Sequence, residues 1–269
     1  MAESVFTATF TVLKMKTLIY DGCFEGLLTS VFEIFEYKFV NAEIIAQQNF
    51  STENLFAEQH QVFTNAEKSA RVLSKIEQMS GKETIRILLK IFLSEHPHKE
   101  RLILKSITDI LQNPGMDVFQ NLADSDMLEI SKILKSMGRE IHRMHAFVRF
   151  ERLKDNLYFA KIEPDFDILP LIGNHFEKRY ADQKWMIFDL KRHYGIIYDL
   201  EKVEFFHPES NQIENFKNPE QFHHEEEQHF QKMWKNYFVK TGIPSRKNMK
   251  LHIQHVPKRY WKYLTEKQR

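Results

Sequence analysis

Apolar positions recur at helical spacing through the first half of the chain and at strand spacing through much of the second. Lys16–Tyr20 (KTLIY) reads as a short strand closed by an Asp21-Gly22 turn. Phe24, Leu27, Leu28, Val31, Phe32 and Phe35 then follow a helical period. Asp21 is placed to cap that helix, and Cys23 sits in its first turn, where the helix dipole could lower a thiol pKa. Residues 41–63 are expected to be irregular, with short strands around 43–46 and 59–63. Thr64 with Glu67 is a capping-box pattern opening a helix from Ala66 to about Met79. Ile85, Leu88, Leu89 and Phe92 mark a second helix, stopped near His96-Pro97. A third spans about 99–112, and a fourth starts near Ser125 and runs into Gly138.

At Ile141 the period changes. Met144, Ala146, Val148 and Phe150 alternate with His145, Phe147, Arg149 and Glu151, as in a half-buried strand. Lys154-Asp155-Asn156 supplies turn residues, and Leu157–Ile162 resumes a strand pattern. The expectation is a β-hairpin over Ile141–Asp165 with His145, Arg149 and Glu151 on one face. Asp167 is placed to cap a further helix that carries Pro170 in its first turn. Trp185–Leu190 and Tyr194–Tyr198 suggest a second hairpin, and Val203–Phe206 another strand. After a polar connection at 208–219, Gln221–Lys240 reads as a helix anchored by Phe222, Phe230, Trp234, Tyr237 and Phe238.

The expected class is α+β. A helical middle layer packs on a small, mostly antiparallel sheet, formed mainly by the second half, which the N-terminal strand can join. Residues 1–14 are expected to be an extension and 15–269 a single compact domain. Within it lie a helical region (about 64–140), a sheet-containing region (about 141–240) and a basic C-terminal segment (245–269).

Composition and charge sharpen this. The 269 residues include 23 Phe against 8 Gly and 8 Pro, which favours packed elements over a loop-rich scaffold. A lone cysteine excludes an internal disulfide and suits a reducing compartment. There is no signal pattern and no apolar run of membrane-spanning length, so a cytoplasmic protein with no membrane partner is expected. The net charge of +1 conceals an asymmetry: Arg246–Arg269 holds eight Lys/Arg against one acid, Glu266. In SRKNMKLHIQHVPKRYWKYL those cations are interleaved with Tyr260, Trp261 and Tyr263, a composition that serves phosphate contact and base stacking. It serves equally well for a terminal helix docked by its aromatics, with its lysines solvated.

Other clusters are less specific. In HHEEEQH (223–229) His229 falls one residue late for the metalloprotease spacing, so a charged outer face is expected and no metal site. Arg143, Arg149 and Arg152 could converge on an anion, while His142, Arg143 and His145 also suit a helix end. Glu163, Asp165 and Asp167 describe a turn and N-cap as well as a Mg²⁺ or acid–base group. Phosphate-loop, dinucleotide, zinc CxxC and GxSxG motifs are absent, and no cofactor is expected.

Four stretches together resemble a bacterial family of DNA metabolism or DNA repair proteins with no established reaction. They are YDGCFEGLLTSVFEIFE (Tyr20–Glu36), EIHRMHAFVRFER (Glu140–Arg152), KIEPDFDILPLIGNHFEKRYADQKWMIFD (Lys161–Asp189) and NMKLHIQHVPKRYWKYL (Asn248–Leu264). The resemblance implies a neighbouring radical SAM DNA-repair protein as partner, and relatives fused to a uracil-DNA glycosylase domain. No GQDPYH-like motif occurs, so a stand-alone form is expected. The leading expectation is a DNA-binding component acting with the radical SAM protein, through Arg143, Arg149, Arg152, Arg179, Lys247, Lys250, Lys258, Arg259 and Trp261. An enzyme acting on a damaged base or nucleotide is the alternative, with Asp21, Glu25, His142 and Glu163 as acid–base candidates. A third is an adaptor that does not touch DNA. Arg143 and Arg149 are expected to share a face with the Lys247–Trp261 tail.

Overall fold

The computed structural model describes residues 16–50, 58–241 and 248–268. By its internal contacts the chain divides into two compact units, Met1–Leu134 and Lys135–Arg269.

In the first unit, β1 (Lys16–Tyr20) is the centre of a three-stranded parallel sheet, between β2 (Ala42–Ala46) and β3 (Glu58–Gln61). The N-terminal strand thus has a sheet of its own and does not join that of the second half. Parallel pairing requires a crossover, which α1 (Phe24–Glu36) supplies between β1 and β2. Helices α2 (Ala66–Ser80), α3 (Lys82–Leu93) and α4 (Lys99–Gln112) follow. Their apolar stripes bury Ile76, Leu88, Ile91, Leu102 and Ile103 in one core with Leu18, Leu27 and Leu28. The cap of α2 is Asn65, which accepts from Lys68 N at 3.0 Å. Thr64, placed in a capping box by the sequence, instead donates its hydroxyl to Asp21 at 2.7 Å.

Helix α5 (Ser125–Phe147) runs past Gly138 for nine more residues. It absorbs most of the stretch expected to be the first strand of a hairpin. The apparent alternation at 144–151 arises because Met144 and Val148, one helical turn apart, are the buried residues. The hairpin survives in reduced form: β4 (Glu151–Arg152) pairs antiparallel with β5 (Tyr158–Ile162) across the Lys154-Asp155-Asn156 turn. His145 is helical and does not share a strand face with Arg149 and Glu151.

Helix α6 (Leu169–Arg179) carries the chain to β6 (Trp185–Asp189), parallel to β5. Its N-cap is Ile168, with Pro170 in the first turn, while Asp167 accepts a hydrogen bond from the Tyr194 hydroxyl. β7 (Tyr194–Tyr198) and β8 (Val203–Phe206) complete a mostly antiparallel sheet in the order β4-β5-β6-β7-β8. The polar connection contains a short helix, α7 (Ile213–Lys217). α8 spans Glu227–Thr241, starting later than its pattern suggests. The expected anchors of α8 are largely outside the core: Phe230, Trp234, Tyr237 and Phe238 are all exposed. The tail forms α9 (Met249–His255) and two short 3-10 turns at Lys258–Tyr263 and Thr265–Lys267. The class is α+β, and no helix among the described residues is long and apolar enough to cross a membrane.

Candidate nucleic-acid interface

Three carboxylates fix the tail within the second unit. Glu140, on α5 and 1 % exposed, accepts from the Tyr260 hydroxyl at 2.6 Å, from Arg259 Nη2 at 2.8 Å, and from the backbone N–H groups of Asp165 and Phe166 at 3.1 and 2.9 Å. Glu163 accepts from Lys262 and Tyr263, and those two bonds hold its carboxyl below the usual glutamate range. Glu266 accepts from Arg149 Nη2 at 2.8 Å and Trp234 Nε1 at 2.9 Å. Burial would raise the Glu266 pKa, but the bonds from Arg149 and Trp234 outweigh it and hold the group low.

These pairings reassign several sequence candidates. Arg149 is tied to Glu266, Arg152 to Asn156 and Glu226, and Arg259 to Glu140 and Asp165. The Trp261 indole donates to Val256 O at 3.0 Å. Arg143 and Arg149 both meet the tail, Arg143 by donating to Gln254 O at 3.3 Å. Arg179, Lys250 and Lys258 are exposed. Lys247 lies outside the described residues.

A more concentrated positive surface lies along the last turns of α5. Lys135, Arg139 and Arg143 follow one another at intervals of four, on one helical face. With His142, and with His255 and Val256 from the end of α9, they line a groove of about 550 Å³ that contains no carboxylate. Among the described residues none of the three cations forms an ion pair. A helix ending at Gly138 hides the four-residue spacing of Lys135, Arg139 and Arg143, and no local pattern brings His255 of α9 to the same groove.

Ala146, in the last turn of α5, lines this groove and also a second cavity of about 630 Å³. The second cavity is walled by rings: Phe150 and Tyr180 on one side, and Phe230 and Trp234 from α8. Glu266 fixes Trp234, and the Arg149 guanidinium lies 5.7 Å from that ring's centroid. Polar lining includes Arg149, Arg152, Gln183, Gln231 and the buried Glu227, which accepts from Arg152 N at 2.9 Å and Gln231 Nε2 at 3.0 Å.

The acid–base candidates divide between the two units. His142 lines the basic groove, and Glu163 is held by the tail. Asp21 and Glu25 belong to the first unit, in the turn and first helical residues after its central strand. Asp21 Oδ1 accepts from Cys23 N at 3.0 Å, and its carboxylate packs so closely on Gly26 that a Cβ there would lie 2.3 Å from Oδ1. The cap of α1 is Cys23, whose Sγ accepts from Gly26 N. Burial and donation to Asp21 push this thiol up, opposite to the shift expected from the helix dipole. Elsewhere in the first unit His96, His98 and Glu129 converge, with ligand atoms within 4.8 Å of one another, a trio that the sequence reading did not single out. The other Glu129 oxygen faces Arg101 at 3.5 Å, so an ion-pair cluster accounts for the arrangement.

A family model described as a domain of unknown function, DUF4130, matches residues 97–266, which is more than half of the chain. The match takes in α4, α5 and the groove and cavity residues, and leaves Tyr20–Glu36 outside. No curated protein matches the chain.

Proposed function

The chain belongs to the DUF4130 family, and we propose that it is a DNA-binding component of a repair or modification system. The observation that carries this reading is the groove of Lys135, Arg139 and Arg143, cations without carboxylate partners aligned on one helical face. Such an array suits successive phosphates, and its exposure leaves the charges available. The choice of DNA, and of a radical SAM enzyme as working partner, rests on the sequence resemblance. Catalysis on a damaged base gains no support from the groove, where His142 is the only one of the four acid–base candidates.

Fluorescence anisotropy with labelled single- and double-stranded oligonucleotides tests the proposal. Log affinity should fall linearly with log salt concentration, with a slope of about −0.7 to −0.9 per phosphate neutralised. The triple variant Lys135→Ala, Arg139→Ala, Arg143→Ala should lose at least about tenfold in affinity and flatten that slope by about 2 to 3. Absence of binding to either oligonucleotide at low salt would refute the reading. Co-purification with the partner without DNA retention would then favour an adaptor.

A further inference from the structure

We infer that the ring-walled cavity beside the groove holds one unstacked base of a bound single strand. The inference rests on the groove being a phosphate site and goes further, since it names what the adjoining cavity recognises.

The two sites are contiguous. Ala146 belongs to both walls, so a backbone lying along Lys135, Arg139 and Arg143 reaches the cavity mouth at the end of α5. The groove is cationic; the cavity is aromatic with amide edges, and the two arginines in its lining, Arg149 and Arg152, are ion-paired to Glu266 and Glu226. A nucleotide has the same division, with an anionic backbone and a base that is apolar on its faces and hydrogen-bonding at its rim. The volume, about 630 Å³, falls in the range of ligand-sized cavities, roughly 300–1,000 Å³.

The lining also has unused capacity. Phe230 is 48 % exposed and Trp234 40 %, large rings left partly in water at the cavity. Trp234 is nonetheless held in place by Glu266, so it presents a preorganised face and not a mobile one. Gln183 is half-buried and makes no hydrogen bond among the described residues, which leaves an amide donor and acceptor for a base edge. Both oxygens of Glu227 already accept hydrogen bonds, from Arg152 N and Gln231 Nε2. Aromatic stacking accepts any base face, so the expected selectivity is for single strands over duplexes, with little dependence on sequence.

The chain of residues 1–269 can be tested with two oligonucleotides of equal length, one bearing bases and one abasic throughout. Stacking of one base predicts that the base-bearing strand binds about 5- to 150-fold more tightly. Phe230→Ala or Gln183→Ala should bring that ratio towards 1, and because both strands use the groove the ratio cancels any change there. Equal binding of both strands by the natural chain overturns the base pocket and leaves the groove standing. If neither strand binds, the groove reading fails and this one with it. A free nucleoside monophosphate that binds as tightly as the strand would also overturn it, by showing a nucleotide pocket independent of the backbone.

Discussion

Single carboxylates govern how the second unit is held. Glu140 satisfies four donors from two parts of the chain while almost wholly buried. Removing it strands the Tyr260 hydroxyl and two backbone N–H groups and leaves the Arg259 guanidinium to Asp165 alone. Glu140→Ala should therefore cost about 3–5 kcal/mol of unfolding free energy, measured by urea denaturation. His145 is a titration site of the opposite kind. Burial, then the neighbouring His175 and His142, lower its pKa to about 4, and its Nε2 is buried without a partner. The unfolded imidazole protonates near 6.5. Between about 6.5 and about 4 the unfolded chain binds the additional proton, so stability is lost as pH falls through that window. His145→Phe preserves a ring against His175, stacked at 3.8 Å, and its urea midpoint should fall less between pH 7.5 and pH 5 than that of the natural chain. The basic-aromatic composition of the tail was legible in the sequence, but its ion pairs were not. Arg149 and Glu266 are separated by 117 positions, and no local pattern reports such a contact.

The main departure at the level of elements concerns α5. A glycine and an apparent two-residue alternation both signalled its end, yet the helix continues because Met144 and Val148 still point into the core. Nothing lies within 4 Å of a Cβ built at Gly138, so no close approach requires the glycine. Gly138→Ala should stabilise the protein by about 0.5–1 kcal/mol, seen as a raised urea midpoint. Strand and helix positions elsewhere were largely readable, because β1, β6, β7 and the helices α2 to α4 follow their periods closely. Helix α8 was readable as a helix but not in its burial. Its aromatics look like core anchors, whereas the buried residue is Glu227 and the rings stay at the surface, where two of them wall the cavity.

Over the whole molecule, the near-neutral total hides a division of charge. Residues 135–269 carry 25 Lys/Arg against 19 Asp/Glu, and residues 1–134 carry 13 against 18, giving +6 and −5. A polyanion therefore meets a local field that the overall balance does not report. The protein should be retained on heparin at pH 8, close to its sequence pI of about 7.8, and the triple groove variant should elute at lower salt. The α+β class followed from the order of periodicities, but the membership of each sheet did not. Five-residue strands such as β1 show their own pattern and leave their partners unspecified, so the separate parallel sheet could be found only in the fold.

The clasp formed by Glu266 also sets an order of events during synthesis. Arg149 and Trp234 are made well before the carboxylate that aligns them, so neither can be held in this arrangement until residue 266 has been added. A chain cut before residue 266 would keep Arg149 and Trp234 yet lack the carboxylate that orients them.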